Sequence, residues 1–297
     1  MDMYSQITTN KRQSVLLVAI FIIIIAALGF VFDRAYYGGD VYVGLPVAVF
    51  FSLIMTAISY FQGDKIALWS AGAKPIAKEQ NPYLYRMVEN LCITNGAPMP
   101  KIYIIEDNAI NALAAGRKPE VASIAVTRGA LDKLKNEELE GVLAHELSHI
   151  KNYDIRFMTL VAVMVGAIVM ISHIFLRSRH FLGRGRSRDS GNVNVIFLVT
   201  GIALAILSPI IAEMIKLAVS RRREYLADAS GALLTRYPEG LARALEKIAA
   251  ENQPMSNASQ ATSHLFFANP FNGKKLSSLF STHPPVEERI KKLRGMA

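Results

Sequence analysis

Four long runs of apolar residues limit what this 297-residue chain can fold into more than any other feature of its sequence. The runs cover residues 14–32, 41–61, 157–176 and 195–215. Each run has roughly the 20 residues with which an α-helix crosses the hydrocarbon core of a bilayer. The remaining segments mix polar and apolar residues, as a domain surrounded by water does. We therefore predict a membrane protein with about four α-helical spans.

The order of the runs divides the chain into two membrane hairpins and one domain that is split between two segments. Residues 1–61 would form the first hairpin, and residues 157–215 the second. Residues 62–156 and residues 216–297 would then emerge on the same side of the membrane. We expect these two segments to fold together as the two parts of one catalytic domain.

Positive charge and cysteine content indicate the side of the membrane on which this domain lies. Lys11 and Arg12 precede the first run, and positive residues beside a span favour the cytosolic side. Cys92 is the only cysteine, which fits a reducing compartment. The net charge is +9, but the sequence has neither a nucleic-acid motif nor a basic stripe interleaved with aromatic residues. We expect the lipid bilayer as a partner, no nucleic acid, and a domain that faces the cytoplasm.

The segment between the two hairpins predicts a small sheet followed by a helix. Lys101–Glu106 and Val121–Thr127 are rich in β-branched residues and predict strands. A helix should begin at Asn136, since Glu137 and Glu138 in its first turn would offset the helix dipole. The predicted fold class is therefore α+β, with a small β-sheet beside the membrane helices.

The motif His145-Glu146-Leu-Ser-His149 lies on this predicted helix. Residues one helical turn apart share a face, so the two histidines can bind one metal ion. Neutral imidazoles suit Zn²⁺, which lowers the pKa of a water molecule that it binds to about 7. Glu146 is badly placed to bind the ion but well placed to accept a proton from that water molecule. The motif predicts a zinc site with Glu146 as general base.

A catalytic zinc ion needs a third protein ligand, and Glu224 is the best candidate. Asp228 lies one helical turn later, so one carboxylate could bind zinc while the other hydrogen-bonds a ligand histidine. The alternative is an exposed carboxylate pair beside Arg221, Arg222 and Arg223, which is a common surface arrangement. The residues themselves leave both interpretations open.

Further motifs extend the pattern along nearly the whole chain. They are residues 111–116, the strand at residues 122–127, Asn152 and Asp154 after the histidine motif, Arg223-Glu224 with Ala227-Asp228, and residues 282–285 leading to Arg289. Together they resemble peptidase family M48. The resemblance implies a zincin-like (gluzincin) catalytic domain, one Zn²⁺ per chain, and hydrolysis of peptide bonds in proteins.

The resemblance also implies roles for individual residues. Glu224 would be the third zinc ligand, and Asp228 would contact a ligand histidine. His283 and Arg289 would stabilise the oxyanion of the tetrahedral intermediate, where donors aimed at developing negative charge lower the barrier. An alternative for His283 is a capping or packing role before a helix that begins with prolines.

Substrate recognition is implied at the sheet. The strand Val121–Thr127 would pair with an extended substrate. Such pairing recognises the backbone of the substrate more than its side chains. Asn111 would hold substrate backbone nearby, and the alternative for this residue is a turn-forming asparagine.

The resemblance implies a stress-response protease of the cell inner membrane that degrades misfolded or damaged membrane proteins. We also expect self-cleavage after solubilisation. Three alternatives remain open. A protease that processes one defined peptide would resemble a branch of the family with more spans and an enclosed chamber, and 297 residues look too few to build one. A zinc-binding scaffold without catalysis would be expected to lack Glu146, which is present. A channel or transporter would need polar residues along several spans, and the first two runs carry almost none.

Overall fold

A computed structural model describes residues 3–37, 41–182, 220–271 and 284–296. The predicted span at residues 195–215 and the predicted catalytic residue His283 lie outside the described residues. The helices, in chain order, are α1 (Met3–Tyr37), α2 (Gly44–Ser70), α3 (Pro82–Asn95), α4 (Arg128–Lys133), α5 (Asn136–Lys151), α6 (Asp154–Leu182), α7 (Arg221–Thr235), α8 (Pro238–Glu251) and α9 (Val286–Arg294). The strands are β1 (Ala73–Pro75), β2 (Lys101–Ile105), β3 (Ala112–Ala115) and β4 (Ser123–Thr127).

Helices α1 and α2 form the first hairpin. Two candidate spans, Gln6–Arg34 and Gly44–Ser70, are long and apolar enough to cross a membrane, among the residues that were described. Near the end of α1, Asp33 contacts the start of α2: its carboxylate accepts the backbone N–H groups of Val43, Gly44 and Leu45 at 2.6–3.2 Å. These bonds satisfy amide groups at the start of α2 that have no partner within the helix.

The third apolar run lies in α6, which continues from α5 after a bend of 86°. If this bent pair counts as one span, the described chain offers up to three. The first half of α6 packs on the hairpin, where Phe157, Val161 and Val165 meet Leu17 and Phe21 of α1. This part of the third run is therefore buried against other helices, and that packing accounts for its apolar composition.

The two predicted strands are confirmed as β2 and β4, but the order of the sheet corrects one expectation. The order is β1-β2-β4-β3, with β4 parallel to β2 and antiparallel to β3. The strand Val121–Thr127 was expected to pair with substrate, yet β4 is hydrogen-bonded on both sides and has no free edge. The cause is β3, which follows β2 in sequence but takes the outer position, so the edge belongs to Ala112–Ala115.

Helix α5 begins at the predicted residue, Asn136, and lies between the sheet and the helices α7 and α8. Glu138 accepts the backbone N–H of Lys135 at 2.7 Å and so caps the helix start. Helix α7 packs very close to α5 at Gly231, which has no side chain. A Cβ added there would lie 3.0 Å from the backbone nitrogen of His145. This close packing brings the carboxylates of α7 next to the histidines of α5.

Candidate metal centre

Three side chains from two helices meet in the interior of the domain. The Nε2 atoms of His145 and His149 lie 3.1 Å apart. One oxygen of Glu224 lies 3.8 Å from Nε2 of His145, and the other lies 3.5 Å from Nε2 of His149. All three side chains are buried, and their ligand atoms lie within 4.8 Å of one another.

This arrangement fits a tetrahedral metal ion. Two nitrogen ligands at the usual distance of about 2.0–2.1 Å from Zn²⁺ lie about 3.3 Å from each other in a tetrahedron. The spacing between the ligand atoms of His145, His149 and Glu224 is close to that value. Two imidazoles and one carboxylate are also a donor set that zinc enzymes use, with the fourth position left for water or substrate.

The second carboxylate of α7 holds the first histidine. Asp228 Oδ1 lies 2.9 Å from Nδ1 of His145, so the Nε2 of that ring faces Glu224 and His149. Asp228 and Glu224 are both buried, which excludes the exposed carboxylate pair that the sequence left open. The interpretation in which one carboxylate faces the metal position and the other orients a ligand histidine agrees with this geometry.

Arg289, from α9, lies behind Asp228. Its Nε and Nη2 donate to the two carboxylate oxygens of Asp228 at 2.8 and 2.7 Å. Burial would raise the pKa of Asp228, but the charge and hydrogen bonds of Arg289 and the bond from His145 lower it to about 2. The third guanidinium nitrogen, Nη1, donates to the backbone carbonyl of Phe267 at 3.2 Å. Arg289 thus holds Asp228 ionised, and its expected oxyanion role stays a prediction.

A different carboxylate holds the second histidine. Asp154 Oδ2 lies 2.9 Å from Nδ1 of His149. Asp154 was not among the predicted site residues, although its place five residues after His149 was part of the family motif. The sequence did not indicate this contact with His149, because the contact depends on the path of the chain between α5 and α6. The chain bends between α5 and α6, with φ of 60° at Tyr153, and this bend returns Asp154 toward the ring.

The pKa values of the two histidines are shifted in opposite directions. Burial lowers the pKa of His145 to about 4, against the opposing effect of Asp228. Burial would also lower the pKa of His149, but the bond to Asp154 and the charges of Glu224 and Asp154 raise it to about 9. His145 is therefore neutral at pH 7, whereas a metal ion would have to displace a proton from His149.

Glu146 lies between the metal ligands and the sheet. Burial raises its pKa to about 7, and the charge of Glu224 adds to this effect. The positive charges of His149 and Arg289 and a hydrogen bond from the backbone N–H of Ala114 act in the opposite direction. A carboxyl group whose pKa lies near neutrality can both accept and return a proton at pH 7.

The outer edge of β3 is paired with a segment of the same chain. Phe267 donates its backbone N–H to the carbonyl of Ala112 at 2.8 Å, and Phe266 is the antiparallel partner of Leu113. The Asn111 amide donates to the carbonyl of Ala268 at 3.0 Å and accepts its N–H at 3.1 Å. The Asn111 side chain thus binds backbone of its own chain at Ala268, and its expected role toward substrate stays a prediction.

The chain is similar to known proteins over nearly its whole length. Residues 78–297 match Peptidase family M48. A protein of Caldanaerobacter subterraneus named "Protease HtpX homolog" is 43% identical over 296 residues, which cover 99% of this chain and 98% of that protein. A protein of the same name from Tropheryma whipplei is 42% identical over 297 residues, covering 99% of this chain and 98% of its own length.

The fold has a counterpart among solved structures. The crystal structure of S. mikatae Ste24p matches 98% of this chain and 67% of that protein, with a TM-score of 0.51 and 19% sequence identity. At this identity the likeness indicates a shared fold only. The family match spans residues 78–297, which include all of the metal-centre residues named above, and the relatives match from end to end. The resemblance seen in the sequence motifs is confirmed, and the chain belongs to peptidase family M48.

Proposed function

We propose that this chain is a membrane-bound, zinc-dependent endopeptidase that hydrolyses peptide bonds of other proteins. The observation that carries the proposal is the convergence of His145, His149 and Glu224, whose ligand atoms lie 3.1–3.8 Å apart beside the buried carboxyl group of Glu146. Membership of peptidase family M48 and the two candidate spans of the first hairpin support it.

Each residue of the site has a role in this proposal. His145, His149 and Glu224 bind one Zn²⁺, which would supply a Lewis acid that polarises the scissile carbonyl and acidifies water. Glu146 accepts the proton of the attacking water molecule and then delivers it to the leaving amine.

Other residues support these steps without binding the metal. Asp228 and Asp154 hold the rings of His145 and His149, so that each Nε2 faces the metal position. Arg289 keeps Asp228 ionised. We assign oxyanion stabilisation to His283, while the contacts of Arg289 favour a positioning role for that residue.

The proposed substrate is an extended segment of polypeptide that binds along the edge of β3. The pairing of Phe266–Ala268 with β3 and Asn111 supports this proposal, because it uses backbone groups that any peptide could offer. Recognition of backbone suits a protease of broad specificity. A substrate that bound here would take the place of Phe266–Ala268.

The helix that follows the histidine motif packs on the first hairpin, which supports substrates from the membrane. Helix α6, which begins three residues after the last residue of α5, packs against α1 and α2. We propose that residues 62–156 and 216–297 form one domain facing the cytoplasm, that residues 1–61 and 157–215 are membrane hairpins, and that the protein lies in the cell inner membrane. Misfolded or damaged membrane proteins are the proposed substrates, in a quality-control role under stress, and self-cleavage is proposed to follow solubilisation.

The direct test is cleavage of an unfolded protein such as reduced casein by the full chain purified in detergent. Cleavage should stop with 1,10-phenanthroline and return when zinc is added. The Glu146→Gln variant, purified in the same way, is the control for a contaminating protease and for self-cleavage. Cleavage that persists in this variant, or that is insensitive to the chelator, would contradict the proposal.

A further inference from the structure

The amino-terminal helix α1 buries polar side chains at the end of its span that lies next to the metal centre. Gln6, Asn10 and Ser14 are all less than 8% exposed and lie four residues apart, on one face of the helix. The same face continues with Leu17 and Phe21, which pack on α6. Polar residues within a span are expensive and seldom lack a partner or a function, so the contacts of this polar segment are informative.

Asn10 connects this helix to a metal ligand. Its Nδ2 donates to Oδ1 of Asp154 at 2.5 Å and to the backbone carbonyl of Asn152 at 2.9 Å. The other oxygen of Asp154, Oδ2, lies 2.9 Å from Nδ1 of His149. A continuous chain of contacts therefore runs from α1 through Asp154 to the ring that faces the metal position.

We propose that Asn10 is a positioning residue of the metal site, and that the first membrane helix is thereby a structural part of the site. This inference rests on the proposed zinc-dependent function. Asp154 can orient His149 only if its own carboxylate is fixed, and Asn10 fixes the oxygen that His149 does not contact. The bond to Asn152 fixes the Asn10 amide in turn.

Neighbouring contacts of α1 support the same role. Lys11 lies over the ring of Tyr153, with its Nζ 4.3 Å from the ring centroid, at the bend between α5 and α6. Gln13 accepts a hydrogen bond at 3.4 Å from Arg223, the residue that precedes Glu224. One short stretch of α1 thus contacts both segments that bring ligands to the site, the end of α5 and the start of α7.

The inference predicts a loss of zinc affinity from a substitution in a membrane helix. Asn10→Leu keeps the approximate size of the side chain and removes the donor. In the full chain in detergent, its zinc dissociation constant, measured by competition with a fluorescent chelator, should rise about 10-fold or more, as is usual for partners of metal ligands. Asn10→Ala should give a similar rise. Ser14→Ala is the matched control, since Ser14 is buried on the same face but donates only to the carbonyl of Asn10, and it should change the constant less than about twofold.

A second measurement separates positioning from a general effect on folding. In an Asp154→Ala background, Asn10→Leu should not weaken zinc binding further, because Asn10 acts on the metal ligand only through Asp154. Equal weakening in both backgrounds would overturn the inference, as would wild-type affinity in folded Asn10→Leu and Asn10→Ala variants. If the wild-type chain itself bound no zinc, the proposed function would fail. If wild type binds zinc and cleaves casein while the Asn10 variants bind equally well, only the role of Asn10 is wrong.

Discussion

Asp228 holds His145 from the side opposite the metal position, with its Oδ1 2.9 Å from the Nδ1 of the imidazole. Behind Asp228 stands Arg289, which is 1% exposed and donates to both carboxylate oxygens. The ligand, its carboxylate partner and the arginine therefore form a buried relay from α5 through α7 to α9. In the proposed zinc site, this relay would set the direction in which the Nε2 of His145 points.

Replacing Asp228 by Asn should test two effects of Asp228: its pairing with the Arg289 charge and its orientation of the His145 ring. The variant leaves the Arg289 charge buried without its partner, which should lower the free energy of unfolding by about 3–5 kcal/mol. Zinc affinity should fall about 10- to 100-fold. In the double variant Asp228→Asn with Arg289→Met, thermal unfolding should recover much of the lost stability while zinc binding stays weak. Recovery of zinc affinity in the double variant would show that Asp228 does not orient His145, and a stability that fails to recover would exclude the unpaired Arg289 charge as the cause of the loss.

Glu146→Gln should keep zinc and lose activity. The carboxyl group is buried, and its pKa is raised to about 7, so a neutral amide of the same shape should be tolerated. Cleavage of casein should fall by a factor of about 10²–10⁴, the usual contribution of a general base. Metal content by mass spectrometry and the thermal midpoint should match wild type. A variant that cuts at the wild-type rate would remove Glu146 from the mechanism.

Glu224→Ala should lose most of its metal. The side chain supplies the third ligand group, 3.5 and 3.8 Å from the two Nε2 atoms, and two imidazoles alone do not complete a structured zinc site. Metal analysis after dialysis against a weak chelator measures the loss. Glu89→Ala, at an exposed glutamate on α3, is the control and should retain its zinc. Full occupancy in Glu224→Ala would move the third ligand to another residue.

Gly231→Ala should disturb the site without touching a ligand. The added Cβ would lie 3.0 Å from the backbone nitrogen and 3.2 Å from the Cα of His145, and these atoms cannot move aside as a side chain can. Helix α7 should shift away from α5, costing about 1–3 kcal/mol of stability and lowering zinc affinity. The matched substitution is Gly166→Ala, where the nearest atom would be 3.8 Å away. It should be neutral or stabilising by up to about 1 kcal/mol. Equal effects at the two glycines would contradict close packing as the cause.

Acid should weaken the contact between Asp107 and Ser256, which lies in the loop before Phe266–Ala268. Asp107 accepts the N–H of Ala109 and both the N–H and the hydroxyl of Ser256. Burial would raise the pKa of Asp107, but these bonds outweigh it and lower the pKa. A lowered pKa in the folded state means that Asp107 stabilises the fold above its unfolded pKa of about 3.9 and loses this effect as the pH falls further.

The measurement is thermal unfolding of wild type and Asp107→Asn between pH 7 and pH 2. The variant should be less stable at pH 7, and the two curves should converge as the carboxylate of wild type becomes protonated. A constant difference across this pH range would exclude the ionised carboxylate as the source of the stabilisation.

Local sequence was enough for several features of this protein. The start of α5 at Asn136, the strands β2 and β4, and the apolar helices α1 and α2 follow from periodicity, β-branched residues and end signals that are complete within about 20 residues. The pairing of His145 with His149 follows in the same way, since a helix places residues one turn apart on one face. The sequence also indicated Glu224 as the best candidate for a third ligand, although it left an exposed carboxylate pair as an alternative.

Contacts between distant segments were decided by the tertiary structure. Periodicity does not encode which strand takes the outer position in a sheet, so substrate pairing was assigned to β4 although β3 takes that position. Nor does it encode burial of Asp228 against Arg289 or the bond from Asn10 to Asp154, which joins residues 144 positions apart. The sequence determined helices, strands and the chemistry of the proposed zinc ligands, because these depend on neighbours along the chain. Only the packing of α1, α5, α7 and α9 on one another determined which carboxylate faces the metal position and what holds each histidine.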